Sequence, residues 1–215
     1  PHWNLTTESG AEALPVGHCL RHARSRICSR TFVDRHTKED GRYFSPTPIR
    51  AAMADARVIV VDFGVHYHLD SSKSSNKVGA LHLIKGLDAL AKLTLTAERT
   101  RGLRVLLREA TPQHFPTLDG SGDYDAPRSH EKAGCTHASR VDLQRWRNRF
   151  METFAAERHW GIMRLFDRFA SRAELHKDAR DCTHWCSECT AQCDGDAAMG
   201  LWLQALDEAL RQPNS

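Results

Sequence analysis

The sequence predicts an α/β fold of three layers, in which helices cover both faces of a mostly parallel β-sheet. Two short runs of β-branched and aliphatic residues, at 57–63 and 103–107, flank a stretch with helical periodicity at 78–98. A strand, a helix and a second strand in this order are typical of the right-handed βαβ unit of a parallel sheet. Strands continue to alternate with helices downstream, which favours the same fold class.

The elements of this unit follow from local patterns. The run at 57–63 lacks polar alternation, so we expect a buried strand at the centre of the sheet. The stretch at 78–98 is predicted to be a helix because its apolar residues recur on one helical face. These residues are Leu83, Ile84, Leu87, Leu90 and Leu93. Gly102 is expected to end the helix, and 103–107 to form the second buried strand.

The second half of the chain alternates between loop, helix and strand patterns. Residues 111–139 carry several Gly and Pro residues without periodicity, which is typical of a functional loop. Apolar residues over 141–154, among them Leu143, Phe150 and Met151, predict a helix. A third strand is expected at 161–166.

We expect residues 1–215 to form a single domain, which begins with a strand at 25–33 and closes with a helix at 197–210. The chain opens with Pro1 and carries no initiator Met, so we expect the domain to be incomplete at its N-terminus.

Composition excludes several classes of function. The 215 residues carry 30 Lys and Arg against 27 Asp and Glu, a net charge of +3 without a concentrated basic tract. This balance disfavours a nucleic-acid partner. The apolar runs fall short of the ~20 residues that span a bilayer, so a membrane anchor is expected only if a missing N-terminal segment supplies it.

The densest cluster of reactive side chains is the segment Asp181-Cys-Thr-His-Trp-Cys186. Its Asp181 and His184 are three positions apart, a spacing that can place a carboxylate beside an imidazole. His184 would then act as a general base, and Asp181 would fix its tautomer. Such a pair needs a nucleophile, and because its spacing is common, a purely structural role stays open.

Seven cysteines leave two interpretations open. A zinc site of four thiolates would use Cys182, Cys186, Cys189 and Cys193. That spacing lacks the two separated Cys-x2-Cys knuckles of zinc ribbons, so we expect disulfides and no metal site. Either Cys182 or Cys186 bridged to a distant cysteine such as Cys135 would pin the turn that carries His184.

Three blocks resemble one family. Asp181-Cys-Thr-His-Trp-Cys186 is similar to the Asp-Cys-x-His-Trp-Cys signature of the trichome birefringence-like proteins, within the PC-esterase family of SGNH-hydrolase relatives. Residues 108–115, Arg-Glu-Ala-Thr-Pro-Gln-His-Phe, resemble its Arg-Thr-x-Ser-Pro-x-His-Phe block, with Thr111 in place of Ser. Residues 60–68 resemble its strand leading into Asn-x-Gly-x-His and aromatics. The blocks keep the family's order over residues 57–193.

The resemblance implies an SGNH-hydrolase-like fold and a carbohydrate O-acetyltransferase that uses Ser-His-Asp acyl transfer. It implies a polysaccharide or glycan substrate, the Golgi lumen of the secretory pathway, no cofactor and an unspecified acyl donor. By position, His184 would be the base and Asp181 its orienting carboxylate. A carbohydrate acetyl esterase and a non-catalytic glycan-binding relative are the alternatives.

The same resemblance suggests residues that bind the substrate or its oxyanion, namely Asp62, Gly64, His66, Arg108 and His114. Asp62 replaces the family's Asn, and an ionised carboxylate would repel an oxyanion where an amide would donate to it. The backbone N–H of Gly64 is then the remaining donor. His66 is expected to line the pocket, with metal binding together with His68 as the alternative; His114 would contact a sugar or acyl donor, or be a satisfied loop histidine.

The nucleophile is the missing member. The family carries it in a Gly-Asp-Ser block, which this sequence lacks. The nearest candidates lie in polar loops and are Ser71, Ser72, Ser74, Ser75 and Ser121. We therefore expect the catalytic serine to lie upstream of Pro1, or the chain to be an inactive relative.

Overall fold

The computed structural model describes the chain at 4–6, 18–22, 25–29, 50, 53–54, 56–63, 67, 80–124, 134–178, 181–185 and 195–212. The chain divides into two compact units, Pro1–Ala51 and Ala52–Ser215. No helix among the described residues combines the length and the apolar character needed to cross a membrane.

The first unit contains a small antiparallel sheet. Its strands are β1 (Asn4–Thr6), β2 (His18–His22) and β3 (Ser25–Ser29), in the order β1-β2-β3. The backbones of β2 and β3 pair in register, with Cys19 opposite Cys28. The strand predicted at 25–33 is confirmed over its first five residues, and the rest lies outside the described residues.

The second unit contains the predicted βαβ arrangement. Strands β4 (Val58–Asp62), β5 (Arg104–Arg108) and β6 (Gly161–Met163) form a parallel sheet in the order β4-β5-β6. Helix α1 (Ala80–Arg101) lies between β4 and β5 in the chain. The α/β class is thereby confirmed. Among the described strands, the central one is β5 and not, as predicted, β4, because β5 pairs on both sides and holds the fully buried Leu106 and Leu107.

Helix α1 forms where the periodicity predicts it. Leu83, Leu87 and Leu90 are buried on one face. Gly86 lies on the same helix against Phe63, where a Cβ atom would be 2.9 Å from Cε1 of that ring. Gly102 ends the helix with a φ of +64°, a conformation that glycine adopts without steric cost.

Helix α2 (Trp146–Arg158) continues a short 3-10 turn, Val141–Arg145. The predicted helix is present; of the apolar residues that predict it, Met151 is buried, whereas Leu143 and Phe150 are 44% and 39% exposed. The buried positions include polar side chains instead, and they are Gln144, Arg147, Asn148, Met151 and Ala155.

Two amides of this face bind the backbone of the segment that follows β5. The Asn148 Oδ1 atom accepts from the Ala110 N–H at 2.8 Å, and its Nδ2 donates to the Ala110 carbonyl at 3.1 Å. The Gln144 Oε1 atom likewise accepts from the Gln113 N–H, and its Nε2 donates to the Gln113 carbonyl, both at 2.8 Å. Helix α2 therefore replaces the neighbouring strand that this segment lacks.

Strand β6 is shorter than predicted because a buried carboxylate bends the chain after it. Glu109 accepts hydrogen bonds from the N–H groups of Leu165 and Phe166 at 2.7 and 2.8 Å. Arg164 pairs with the same carboxylate at 3.0 Å. These bonds hold the start of the short helix α3 (Phe166–Phe169), so residues 164–166 leave the sheet.

The closing helix is confirmed as α4 (Gly195–Arg211). Its buried side chains are small or aliphatic and comprise Ala198, Ala205, Leu206 and Ala209. Arg104 of β5 donates to the carbonyls of Ala209 and Leu210 at the end of α4, at 3.3 and 2.8 Å. A cation at a helix C-terminus is favourable because the last carbonyls lack partners within the helix.

We expect Asn148→Ala to lower the free energy of unfolding by about 2–4 kcal/mol, because it leaves the buried N–H and carbonyl of Ala110 without partners. Arg149→Ala changes the next, exposed position of the same helix and should cost less than about 0.5 kcal/mol. Urea denaturation of the three proteins measures both values. Equal stability of the two variants would contradict the role given to Asn148.

Candidate functional site

The candidate site lies on an antiparallel pair of strands, β7 (His176–Asp178) and β8 (Asp181–Trp185). His176 pairs with Trp185, and Asp178 pairs with Asp181. One residue separates the paired positions on β7 and three separate them on β8, so β8 carries a bulge over residues 182–184. The sequence indicated a turn here, and the structure has a bulged strand.

The bulge brings Asp181 and His184 together. In a regular strand, residues three apart project to opposite faces. Here the His184 Nδ1 atom lies 2.8 Å from both carboxylate oxygens of Asp181. The His184 backbone N–H also donates to Asp181 Oδ1 at 3.0 Å. The two residues are thus within hydrogen-bond reach, as a base and its orienting carboxylate need to be.

This contact fixes the chemistry of the imidazole. A carboxylate only accepts, so Nδ1 of His184 carries the hydrogen and Nε2 carries the lone pair. The His184 side chain is 69% exposed and that of Asp181 30%. Within the described part of the chain, Nε2 has no hydrogen-bond partner. The pair therefore presents a basic nitrogen to solvent, which is the form of a general base awaiting a hydroxyl.

Asp181 remains ionised at neutral pH. Burial by itself would raise its pKa, but hydrogen bonds from the backbone and side chain of His184 and from the Thr183 backbone lower the pKa below its ordinary value. The negative charge stabilises an imidazolium on His184 whenever that ring takes up a proton.

The segment after β5 holds β8 in place. Three hydrogen bonds join them, from the His114 N–H to the Cys182 carbonyl at 3.1 Å, from Gln113 Nε2 to Thr183 Oγ1 at 2.9 Å, and from Trp185 Nε1 to Thr111 Oγ1 at 2.7 Å. Helix α2 anchors the same segment from its other side. The site is consequently tied to the parallel sheet through residues 111–114.

A disulfide adds a covalent tie. Cys135 and Cys182 are bonded, with Cα atoms 5.2 Å apart and 47 positions between them in the sequence. A four-thiolate zinc site would need the Cys182 thiolate, which the disulfide consumes. The other three cysteines of that alternative lie outside the described residues. Among the residues that the structure describes, no group of three or more His, Cys, Asp or Glu residues could hold a metal ion.

His114 lies behind β8 rather than on an accessible surface. It is fully buried, with Nε2 3.0 Å from the Ala170 carbonyl and Nδ1 2.9 Å from Nε2 of His176. His176 in turn has Nδ1 3.1 Å from the His184 carbonyl, and its ring stacks on Trp185 at 4.0 Å. This placement favours the satisfied loop histidine over a direct contact with a sugar or acyl donor.

Sequence reasoning missed His176. It lies eight positions before His184 and belongs to no motif, and only the pairing of β7 with β8 brings it to the site. Burial lowers the pKa of His114, and it lowers the pKa of His176 to about 4. Hydrogen bonds to the Ala170 and His184 carbonyls raise these pKa values without offsetting the burial.

A second pair of candidate residues lies at the carboxyl ends of the parallel strands. Asp62 of β4 and Arg108 of β5 are register partners and form an ion pair. Burial lowers the pKa of Arg108 to about 10, so the guanidinium stays cationic at neutral pH. It compensates the charge of Asp62, the residue expected to repel an oxyanion. Gly64 and His66 lie outside the described residues, as does His68.

Ser121 is the one candidate nucleophile among the described residues, and its hydroxyl is held in a tight turn. Ser121 is 4% exposed, and its hydroxyl donates to Asp119 Oδ1 at 2.7 Å and accepts from the Asp123 N–H at 3.2 Å. It makes no hydrogen bond to His184. The serines between positions 71 and 75 lie outside the described residues.

A shallow pocket of about 300 Å³ lies between two loop segments of the second unit. Its walls are residues 115–118, Gly120 and residues 136–138. The Thr136 N–H donates to the His114 carbonyl at 2.9 Å, which joins one wall of this pocket to the segment that holds β8.

Comparisons of the chain with family models, curated proteins and solved structures find no match. The resemblance to the PC-esterase family therefore rests on the three sequence blocks.

We expect peptide mapping without reduction to link Cys135 to Cys182. Cleavage after basic residues and after Trp185 isolates residues 181–185, which contain a single cysteine, from the three cysteines that follow. The linked peptide should disappear on reduction, and Cys135→Ala combined with Cys182→Ala should cost about 4 kcal/mol in the chain-entropy model. An alkylated Cys182 in the unreduced protein would contradict the bridge.

Acid is expected to destabilise the fold through His176. In the unfolded chain His176 binds a proton near pH 6.5, whereas in the folded chain it does so only near pH 4. The stability that the neutral ring contributes is therefore fully present above pH 6.5 and is lost as the pH falls to 4. The full loss amounts to about 3 kcal/mol. Urea denaturation between pH 7 and 4.5 measures it, before the carboxylates titrate.

His176→Asn should reduce this pH dependence to the part that the buried His114 contributes, whereas His159→Asn, which changes an exposed histidine with a φ of +55° that Asn tolerates, should keep all of it. An unchanged pH dependence in His176→Asn would show that this histidine does not carry the effect.

Proposed function

We propose that this chain carries the general-base part of a carbohydrate O-acetyltransferase that works by Ser-His-Asp acyl transfer. The observation that carries the proposal is the His184 imidazole, held by Asp181 through Nδ1 and open to solvent at Nε2. A base oriented in this way is what activation of a hydroxyl requires. The three family-like blocks support carbohydrate as the acceptor.

In the proposed reaction, Nε2 of His184 takes the proton of a serine hydroxyl as its oxygen attacks the acyl carbonyl. The acyl–donor bond breaks, and the imidazolium returns the proton to the leaving group. A sugar hydroxyl then gives its proton to Nε2 and attacks the acyl-serine, and the proton finally returns to the serine oxygen. Asp181 stabilises each imidazolium without taking up a proton itself.

The other members of the proposed site come from the sheet edge. Gly64, through its N–H, and His66 follow β4 in the sequence and are proposed to bind the oxyanion and acyl group, within a proposed three-layer SGNH-hydrolase-like fold. Arg108 supports this proposal because it neutralises Asp62 where the family has an amide. The serine is proposed to lie outside the 215 residues, which contain no Gly-Asp-Ser block.

The proposed setting is the Golgi lumen of the secretory pathway, with a polysaccharide as substrate, no nucleic-acid partner and no cofactor. The Cys135–Cys182 disulfide supports an oxidising compartment. A carbohydrate acetyl esterase would use the same base, with water in place of the sugar hydroxyl. A non-catalytic glycan-binding relative is the other alternative, and the lack of a Gly-Asp-Ser block and the presence of Asp62 are consistent with it.

To test the proposal, the longest protein that the gene encodes is assayed with an isotopically labelled acetyl donor and a panel of polysaccharides. His184→Ala and Asp181→Asn should each lower kcat by about 10⁴-fold, because the members of a triad act as one unit. Both should leave the melting temperature within about 2 °C, since His184 is exposed. His159→Asn is the matched control and should retain full activity.

The fate of the label separates the alternatives. Acetyl groups on the polysaccharide support the transferase, and release to water alone would replace it with the esterase. Polysaccharide binding without turnover would favour the glycan-binding role. A fluorophosphonate probe should leave the 215 residues unlabelled; a labelled serine among them, lost in His184→Ala, would overturn the proposed location of the nucleophile.

A further inference from the structure

The buried histidines His114 and His176 form a chain of three polar contacts that ends at the backbone of His184. It runs from the Ala170 carbonyl to Nε2 of His114 at 3.0 Å, from Nδ1 of His114 to Nε2 of His176 at 2.9 Å, and from Nδ1 of His176 to the His184 carbonyl at 3.1 Å. Both rings are at most 3% exposed. Water is therefore excluded from most of this chain.

The three contacts require more ring hydrogens than two neutral imidazoles carry. A carbonyl oxygen only accepts, so each outer contact needs a hydrogen on the imidazole nitrogen. The inner contact between the two rings needs a third. Two neutral imidazoles carry two ring hydrogens in all, so one contact brings two lone pairs together. One additional proton makes all three contacts hydrogen bonds.

A second additional proton does not fit. With two imidazolium rings, both inner nitrogens would carry hydrogens and face each other at 2.9 Å. Two positive charges would also lie in adjacent buried rings, whose centroids are 5.1 Å apart. The geometry thus matches one additional proton and excludes two.

We propose that His114 and His176 form a positioning pair for His184 that binds a single proton, and that this proton completes the hydrogen bond to the His184 carbonyl. That the pair binds one proton follows from the contacts alone, whereas the effect of this proton on catalysis rests on the proposed function. The pair acts through the backbone of β8 and does not contact the reacting atoms.

In the neutral pair, we assign the incomplete contact to the His184 end. Bonds to residues 111–114 hold Cys182, Thr183 and Trp185 of β8. The backbone of His184 is bonded instead to the Asp181 carboxylate and the His176 ring, so its carbonyl is the end of the chain that can shift. Proton uptake is therefore expected to tighten the bulge and, with it, the geometry of the Asp181–His184 pair.

Burial has the largest effect on the pKa values of the pair, and the charged groups around it adjust them. Glu174, from the turn Ala173–Leu175, and Asp181, on β8, favour the proton. His137, from the segment before α2, and His184 oppose it when they are charged. Burial lowers the pKa of both rings, so the neutral pair is the form at pH 7, and proton uptake falls in the acidic range.

The test is an NMR titration of the 215 residues with ¹⁵N-labelled histidine and ¹³C-labelled backbone, from pH 7.5 to 4. The ring nitrogens of His114 and His176 should titrate together with one proton in total, and a coupling between the two inner nitrogens should appear across the hydrogen bond. The His184 carbonyl carbon should shift downfield with the same midpoint. Two separate titrations, uptake of two protons or an unmoved carbonyl would overturn the proposal.

Variants distinguish positioning from simple packing. His176→Asn keeps a neutral donor that can reach the His184 carbonyl, so it should abolish the coupled titration and leave the carbonyl shift independent of pH. His137→Gln changes an exposed neighbour and should retain the one-proton step. A titration that persists in His176→Asn would contradict the assignment.

Activity supplies a separate readout. Where acyl transfer is measurable, the acidic limb of the kcat profile should differ between wild type and His176→Asn, with KM unchanged within about twofold, because a positioning residue affects the chemical step. Loss of all activity in the assays of the proposed function would refute that function and leave the proton count intact, since the NMR titration needs no substrate.

Discussion

The attachment of β8 to residues 111–114 is the constraint on which the candidate site depends. A bulged strand lacks regular ladder bonds, so its backbone needs partners from elsewhere, and the His114 N–H and the His176 ring supply them. Without these partners, Asp181 and His184 would have no reason to face the same side. The orientation of an exposed base is therefore decided by buried groups behind it.

Burying polar side chains in this region costs free energy, and their hydrogen bonds to the backbone offset that cost. Glu109, Gln144 and Asn148 are all at most 5% exposed, and each satisfies backbone groups of another segment. Buried polar groups stabilise a structure only when their hydrogen bonds are complete. The result is that the described stretch directly after β5, residues 109–124, follows a defined course without a strand or helix of its own.

The sequence predicted the elements that depend on local pattern. Helix α1, β5 and α4 follow from apolar periodicity and β-branched runs, and their bounds differ from expectation by three residues or fewer. The contact between Asp181 and His184 was also expected. The bulge, the role of His176 and the polar face of α2 were not, because each depends on a partner distant in the chain that leaves no periodic signal. The length of β6 was misjudged for the same reason, since Glu109 bends the chain from 55 or more positions away.

The amides of Gln144 and Asn148 bind main-chain atoms alone, at positions 110, 113 and 121. They therefore recognise the backbone of the segment after β5, whereas the Gln113 side chain has its own partners in Thr183 and the Tyr124 N–H. Proline at 110 or 113 would break this recognition, because it has no N–H to offer to either amide. Pro112 lies between the two positions, where neither amide uses the backbone nitrogen, so a proline is accommodated at 112 and should be selected against at 110 and 113.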